Sequence, residues 1–136
     1  MIRIFTDGGS RGNPGPAALG VWISDEKGQT LARIGKRIGI DTNNVAEYRA
    51  VIEALSWLQE NNIAQSETIS FFLDSTLVCS QINGTFKVKN ENMKKLLAIV
   101  LEKKNALGLQ FSFSYIPREK NKEADLLVNQ ALDNII

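Results

Sequence analysis

The 136-residue chain contains no histidine and only one cysteine, Cys79. Without histidine, the chain has neither a serine–histidine nor a cysteine–histidine nucleophile, and a zinc site built on imidazole is excluded. A single cysteine forms neither an internal disulfide nor a thiolate zinc site, so Cys79 is expected to be a small core residue. Any chemistry must therefore rely on carboxylates, hydroxyls, amides, lysine or arginine.

Long apolar segments and an N-terminal targeting pattern are missing as well. The longest apolar run, residues 96–101, is too short to span a membrane, and no basic stretch followed by an apolar one opens the chain. We therefore expect a cytoplasmic protein without a membrane partner, and a free-standing one because Met1 begins the first predicted strand. A hydrophobic fraction of 43% and a charged fraction of 23% fit a globular chain, and the length predicts a single domain, residues 1–136.

The net charge of +1 does not by itself indicate a nucleic-acid-binding protein, but the basic residues are unevenly distributed. Two clusters stand out, which comprise Lys87, Lys89, Lys94 and Lys95, and then Arg118, Lys120 and Lys122. Local basic patches can follow a phosphate backbone on a chain that is neutral overall. A solvated helix face is the alternative interpretation of each cluster.

Hydrophobic periodicity predicts an α/β fold. Strands are expected at residues 2–6, 17–24, 30–38, 68–73 and 109–116, and helices from the cap cluster 41–44 to about 61, at 75–82, 90–104 and 121–132. The third helix is expected to bury Met93, Leu96, Leu97, Val100 and Leu101. The order of elements implies a five-stranded mixed sheet, three antiparallel strands followed by two parallel ones, flanked by helices.

Four acidic residues lie at the ends of these elements. Asp7 directly follows the first predicted strand and Asp74 the fourth, so both carboxylates emerge at one edge if these strands are parallel neighbours. Glu47 lies in the first turn of a helix beside its buried stripe, and Asp125 lies one turn into the last helix. Clustered carboxylates repel unless a cation neutralises them, and hard oxygen ligands suit Mg²⁺ or Mn²⁺. Taken singly, each acid also fits a structural role, such as a turn residue, a helix cap or a helix-dipole partner.

A glycine-rich segment, residues 8–16, follows the first acid and is expected to be a turn. Its glycines, Gly8, Gly9, Gly12 and Gly15, fit neither the dinucleotide-binding nor the P-loop spacing. Exposed amides in a tight turn beside an acid can still let a polyanion approach closely.

Four segments together resemble type 1 ribonuclease H. They are residues 6–16 (TDGGSRGNPGP), 42–50 (TNNVAEYRA), 73–75 (LDS) and 121–125 (NKEAD), in the order in which the family has them. The resemblance implies a ribonuclease H-like fold and an endonuclease that hydrolyses the RNA strand of an RNA–DNA hybrid. Products with a 5′-phosphate and a 3′-hydroxyl are implied as well.

The resemblance also implies the metal site. Asp7, Glu47, Asp74 and Asp125 match the family's four metal-binding acids, which are expected to hold two Mg²⁺ ions, with Mn²⁺ as the alternative. One ion of such a pair activates water and the other stabilises the leaving 3′-oxygen.

Further positions match the family's contacts to the hybrid. Asn13, Asn43 and Asn44 match residues that approach the minor groove, where the 2′-hydroxyl distinguishes RNA. Thr42 and Asn90 match a pocket that holds a phosphate of the DNA strand. The basic helical extension of some members is missing, and the lysines around Lys89 are expected to substitute for it in part.

A second departure from the family concerns proton transfer. Many members carry a histidine in the loop before the last acid, whereas the loop of this chain, residues 117–120, offers Arg118. Arg118 is therefore the residue expected near the scissile phosphate, with an exposed surface arginine as the alternative.

Two other functions compete with hybrid cleavage. One is a nucleic-acid-binding module on the same fold without catalysis, but the chain keeps all four acids. The other is a resolvase-like nuclease that acts on DNA, against which the asparagines placed for the 2′-hydroxyl argue. We expect a monomer whose partner is the RNA–DNA hybrid, with double-stranded RNA as an additional candidate substrate.

Overall fold

A computed structural model describes residues 1–136 and contains one mixed five-stranded sheet, with the strand order β3-β2-β1-β4-β5. The strands are β1 (Ile2–Ser10), β2 (Gly15–Asp25), β3 (Thr30–Asp41), β4 (Thr68–Leu73) and β5 (Gln110–Tyr115). The pairs β1–β2 and β2–β3 are antiparallel, whereas β1–β4 and β4–β5 are parallel. The predicted sheet of three antiparallel and two parallel strands is therefore confirmed.

Four helices pack against this sheet. They are α1 (Asn43–Glu60), α2 (Thr76–Ile82), α3 (Glu91–Leu107) and α4 (Lys122–Leu132), and a 3₁₀ turn, Arg118–Lys120, precedes α4. Side chains of Thr42, Ser75 and Asn90 cap the first three helices by accepting a hydrogen bond from the backbone N–H three residues later. None of the helices has the length and apolar composition needed to cross a lipid bilayer.

The main core lies between the sheet and α1, with α3 packed outside. Its largest buried side chains come from the inward positions of the central strands and from α1, and include Ile4, Phe71, Tyr48, Leu55 and Leu58. Of the five α3 residues predicted to face inward, Met93 and Val100 are buried and Leu96 and Leu97 are half-buried against the core, but Leu101 is 37% exposed, so the prediction was wrong for Leu101. Because α3 packs mainly against one helix rather than the sheet, only a narrow stripe of it is covered.

The first strand is longer than predicted. Gly8, Gly9 and Ser10 pair with Leu19, Ala18 and Ala17 of β2, so the turn between the strands is only residues 11–14. Asp7 therefore lies within β1 and does not follow it. The strand prediction ended early because a run of glycines ordinarily indicates a turn.

Two glycines instead allow helices to lie directly on the sheet. A Cβ at Gly8 would lie 2.2 Å from the backbone carbon of Ala46 in α1. A Cβ at Gly20 would lie 2.2 Å from the carbonyl oxygen of Ala124 in α4, on the opposite face. A tight turn at residues 8–16 could let a polyanion approach its amides, but Gly8 lies within β1 and the space above it is taken by α1.

Replacing Gly8 by alanine is expected to lower the free energy of unfolding by about 3 kcal/mol, because backbone atoms of α1 must move away from β1. Urea denaturation followed by circular dichroism measures this loss. Gly9→Ala is the matched control, since its Cβ would meet only Val128 Cγ1 at 3.6 Å, and a change of less than about 1 kcal/mol is expected there. Equal losses in both variants would contradict the close approach of α1.

Candidate active site

Three carboxylates meet where β1, β4 and α1 come together. The parallel register places Thr6 beside Leu73, so Asp7 and Asp74 emerge at the same edge of the sheet. Glu47 is the fifth residue of α1, just beyond the first turn in which it was predicted, and it reaches this edge because the helix lies over Gly8. One carboxylate oxygen from each of the three acids lies within 4.8 Å of the others.

Two of these acids are deeply buried. Asp7 and Glu47 are each 6% exposed, and Glu47 Oε2 has no hydrogen-bond partner. Burial raises the pKa of Asp7 from 3.8 to about 7, and the charge of Asp74 adds to this effect. Burial, followed by the charges of Asp7 and Asp74, also raises the pKa of Glu47 well above its ordinary value. Side by side in a low-dielectric site, the two carboxyls resist full ionisation unless positive charge is supplied.

Asp125 lies apart from this trio but lines the same cleft. It projects from the first turn of α4, and its charge contributes to the raised pKa of Asp7. Nη2 of Arg118 lies 3.8 Å from Asp125 Oδ1. The side chain of Arg118 lines the cleft near the acids but is 82% exposed, so the surrounding residues do not enclose it.

Of the asparagines predicted to touch the hybrid, Asn43 lines the cleft and is hydrogen-bonded to Asn13, which is not a lining residue. Asn43 Oδ1 accepts hydrogen bonds from the backbone N–H of Ser10 at 2.8 Å and from its hydroxyl at 3.1 Å. The backbone N–H of Asn43 donates to Asn13 Oδ1 at 3.0 Å. Asn43 Oδ1 thus uses both of its lone pairs within the protein, whereas Asn13 Oδ1 uses one of its two, and both NH₂ groups remain available as donors. Asn44 lines the cleft beside Asn43.

Thr42, Asn90 and Lys89 lie away from the main cleft. Thr42 and Asn90 cap α1 and α3, accepting from the backbone N–H of Val45 at 3.3 Å and of Met93 at 3.1 Å. Lys89 is exposed in the segment before α3.

A separate depression of about 310 Å³ lies between the capped ends of α1 and α3. Arg49 and Lys95 contribute its positive charge, and the remaining lining residues are Asp41, Val45, Asn92 and Leu96. In sequence, Arg49 resembles an ordinary exposed helix residue, and no local pattern indicates this role.

Asn121 is another residue at this site that the sequence analysis left without a role. It is 1% exposed, and its Nδ2 donates to the carbonyl of Thr6 at 2.8 Å and to Asp74 Oδ2 at 3.3 Å. In sequence it looks like an N-cap before α4, and no local pattern distinguishes the two roles.

The main cleft has a volume of about 480 Å³ and a polar lining that combines the four acids with cationic and amide groups at its rim. Only two of the fifteen lining residues are hydrophobic, so an apolar ligand has little to contact. The orphaned Glu47 oxygen and the all-oxygen donor set fit a hard divalent cation, which would also relieve the repulsion between the buried carboxyls. Asp7, Glu47 and Asp74 thus fit a divalent metal site.

The chain is similar to known proteins over nearly its whole length. Residues 5–131 match the reverse transcriptase-like protein family. A bifunctional protein of Mycobacterium tuberculosis is 40% identical over 97% of this chain, and the chain spans about a third (35%) of that relative's length. A ribonuclease H of Ruthia magnifica is 32% identical and is covered over 97% of its length, with 98% of this chain aligned.

A solved structure resembles the whole fold. It is that of LC11-RNase H1, an enzyme isolated from compost by a metagenomic approach, in complex with an RNA/DNA hybrid. The two chains superpose with a TM-score of 0.94 at 44% sequence identity, over 99% of each chain.

The buried carboxyls predict a distinctive stability profile for the metal-free protein. The pKa of Asp7 is raised in the folded state, so the folded protein binds more protons than the unfolded chain between about pH 4 and 7. Stability should therefore fall as pH rises through this window, and the full penalty should be present above it. At pH 8 in EDTA, Asp7→Asn is expected to raise the free energy of unfolding by about 1 to 3 kcal/mol.

Thermal denaturation of both proteins from pH 4 to 8 measures this difference. Asp133→Asn is the matched control, because Asp133 is exposed and pairs with Arg11 at 2.6 Å, which lowers its pKa. That variant should gain no stability at pH 8. A wild-type profile that rises from pH 4 to 7, with no gain from Asp7→Asn, would contradict the repulsion between the buried carboxyls.

Proposed function

Because the chain belongs to the type 1 ribonuclease H family, we propose that it hydrolyses the RNA strand of RNA–DNA hybrids as an endonuclease. The observation that carries the proposal is the gathering of Asp7, Glu47 and Asp74 oxygens within 4.8 Å, at the edge of a polar cleft that Asp125 also lines. Hydrolysis by this route leaves a 5′-phosphate on one product and a 3′-hydroxyl on the other.

The four acids would hold two divalent ions, for which we propose Mg²⁺, with Mn²⁺ as the alternative. The chemistry supplied by such a bound pair is Lewis-acid activation of water and stabilisation of charge on the leaving 3′-oxygen. The protein's contribution is to hold the carboxyls together before any ion arrives. Asp7 and Glu47 are fixed by burial, and neither can relax into solvent without moving α1 away from β1.

In this proposal Arg118 stabilises negative charge near the phosphate and does not transfer protons. A guanidinium does not give up its proton at neutral pH, so Arg118 cannot act as a proton shuttle. Its guanidinium can donate two parallel hydrogen bonds to a phosphate oxygen pair, and its high exposure leaves it free to reach a ligand. With no histidine in the chain, protons would pass to and from solvent.

Strand discrimination would come from Asn13, Asn43 and Asn44. Both lone pairs of Asn43 Oδ1 are used within the protein, so Asn43 can contact a ligand only as a donor, through its NH₂ group. Asn13 Oδ1 accepts one bond from the protein, and its NH₂ group is free to donate as well. A 2′-hydroxyl accepts such a bond, and a DNA strand has no equivalent group. Asn44, beside Glu47 in the cleft, would make the contact closest to the acids.

The depression between α1 and α3 would hold a phosphate of the DNA strand. Thr42 and Asn90 lie at the two capped helix ends, and each keeps a donor, the hydroxyl hydrogen and the amide NH₂ respectively. Arg49 and Lys95 add positive charge there, and Lys89 extends it along the preceding loop. Double-stranded RNA as an additional substrate, a monomeric state and a cytoplasmic location stay predictions.

Cleavage of an RNA-labelled hybrid tests the function directly. The wild-type protein is expected to cut the RNA strand with Mg²⁺ present, to stop when EDTA is added, and to leave a matching DNA duplex intact. Asp7→Asn should retain the fold and lose activity by about 100-fold or more. Binding of the hybrid without cleavage would show a binding module instead, and equal cleavage of both duplexes would refute discrimination by the 2′-hydroxyl.

Replacing Arg118 by alanine is expected to slow single-turnover cleavage by about 10- to 100-fold at saturating Mg²⁺, since a charge-stabilising group is lost. Arg118→Lys should recover activity only in part, because an ammonium keeps the charge but not the forked geometry. Arg33→Ala is the matched control, as Arg33 is an exposed arginine paired with Glu123 outside the cleft. A rate constant unchanged in Arg118→Ala would leave this residue without a catalytic role, while the carboxylate site would stand.

A further inference from the structure

The geometry points to Asn121 as a positioning residue that orients the carboxylate of Asp74 for metal binding and ties it to the first strand. The expected effect of Asn121 on turnover rests on the proposed function, whereas its expected effect on metal binding does not.

The contacts of Asn121 join the elements that carry three of the four acids. Its Nδ2 bridges the carbonyl of Thr6, the residue before Asp7, and Oδ2 of Asp74, at 2.8 and 3.3 Å. Its backbone carbonyl accepts from the N–H of Asp125 at 3.1 Å. One residue therefore spans β1, the end of β4 and the first turn of α4.

A second connection runs to the loop that borders the cleft. The backbone N–H of Asn121 donates to the carbonyl of Arg118 at 3.0 Å, closing the 3₁₀ turn. A shift of Asn121 would therefore move Asp74 and the Arg118 turn together.

The side chain of Asn121 does not make the hydrogen bond that is usual for an asparagine at the start of a helix. Asn121 precedes α4, where an asparagine ordinarily caps the helix, but its side chain makes no capping hydrogen bond. Its Oδ1 is buried without a partner, which is also unfavourable. A missing cap and a buried polar atom without a partner are typical of functional sites, where a different contact fixes the side-chain conformation.

That other contact is the one with Asp74. The amide N–H fixes one carboxylate oxygen, Oδ2, and no hydrogen bond from the protein occupies the other, Oδ1. Asp74 is less buried than its two neighbours, so packing restrains it less. Donors of this kind orient metal-ligating groups, and their removal typically weakens metal affinity by about 10- to 100-fold.

Calorimetric titration of the metal-free protein with Mn²⁺ tests the inference without relying on activity. Asn121→Ala and Asn121→Leu are both compared with the wild type; the leucine keeps much of the side-chain volume, so the site stays filled. Both variants are expected to bind Mn²⁺ about 10- to 100-fold more weakly. In the cleavage assay, the Mg²⁺ concentration at half-maximal rate should rise by a similar factor.

Asn83→Ala is the matched control, because Asn83 also donates from a side-chain amide to a strand carbonyl, that of Phe113, at 2.9 Å, but contacts no acid. It should lower the melting temperature without changing the Mn²⁺ dissociation constant. Unchanged Mn²⁺ affinity in either folded Asn121 variant would overturn the inference. Loss of the fold in both, with Asn83→Ala folded, would overturn it as well, since Asn121 would then be a structural residue. A wild-type protein that binds Mn²⁺ but leaves hybrids intact would refute the proposed function alone.

Discussion

The structure depends on how closely α1 approaches β1. No side chain separates them at Gly8, where an added Cβ would lie 2.2 Å from Ala46. This contact places Glu47 beside Asp7 and removes both carboxyls from water, which raises the pKa of each. The helix cap at Thr42 and the bond from Ser10 to Asn43 hold the same end of α1 in place. Helix-on-sheet packing thus brings the three carboxylates together. Their mutual repulsion lowers the stability of the metal-free folded protein.

The other face of the sheet follows the same principle with a different helix. Gly20 lets α4 lie on β2, so its first turn brings Asp125 to the cleft from the side opposite to Glu47. Asn121 then links the start of α4 to Thr6 and Asp74. Acids from both layers therefore converge on the edge where β1 and β4 run parallel, and all four are carried by helices or by the strands and strand ends of the sheet.

Much of the fold follows from local sequence rules, because the caps at Thr42 and Asn90 and the apolar strand β4 have unambiguous patterns. The extension of β1 through Gly8 and Gly9 does not, since whether a glycine turns or lies under a helix depends on residues far away in sequence. The four acids were found from their motifs, and the structure gathers them around one cleft. The role of Asn121 was missed because a cap and a bridge to a distant carboxylate require the same residue type at the same position.

The occupied carbonyl of Asn43 has a consequence for base sequence. A side-chain amide with both ends free can match a donor–acceptor pair and so choose among bases, but Asn43 presents only its N–H groups. In the minor groove the pattern of base edges is largely degenerate, and acceptors occur whichever base pair is present. A donor fixed in this way therefore carries almost no information about which bases pass it. If the chain cleaves hybrids as proposed, the choice of cleavage position would be left to the sugar and the backbone geometry, and cuts would be distributed along the duplex rather than confined to particular sequences.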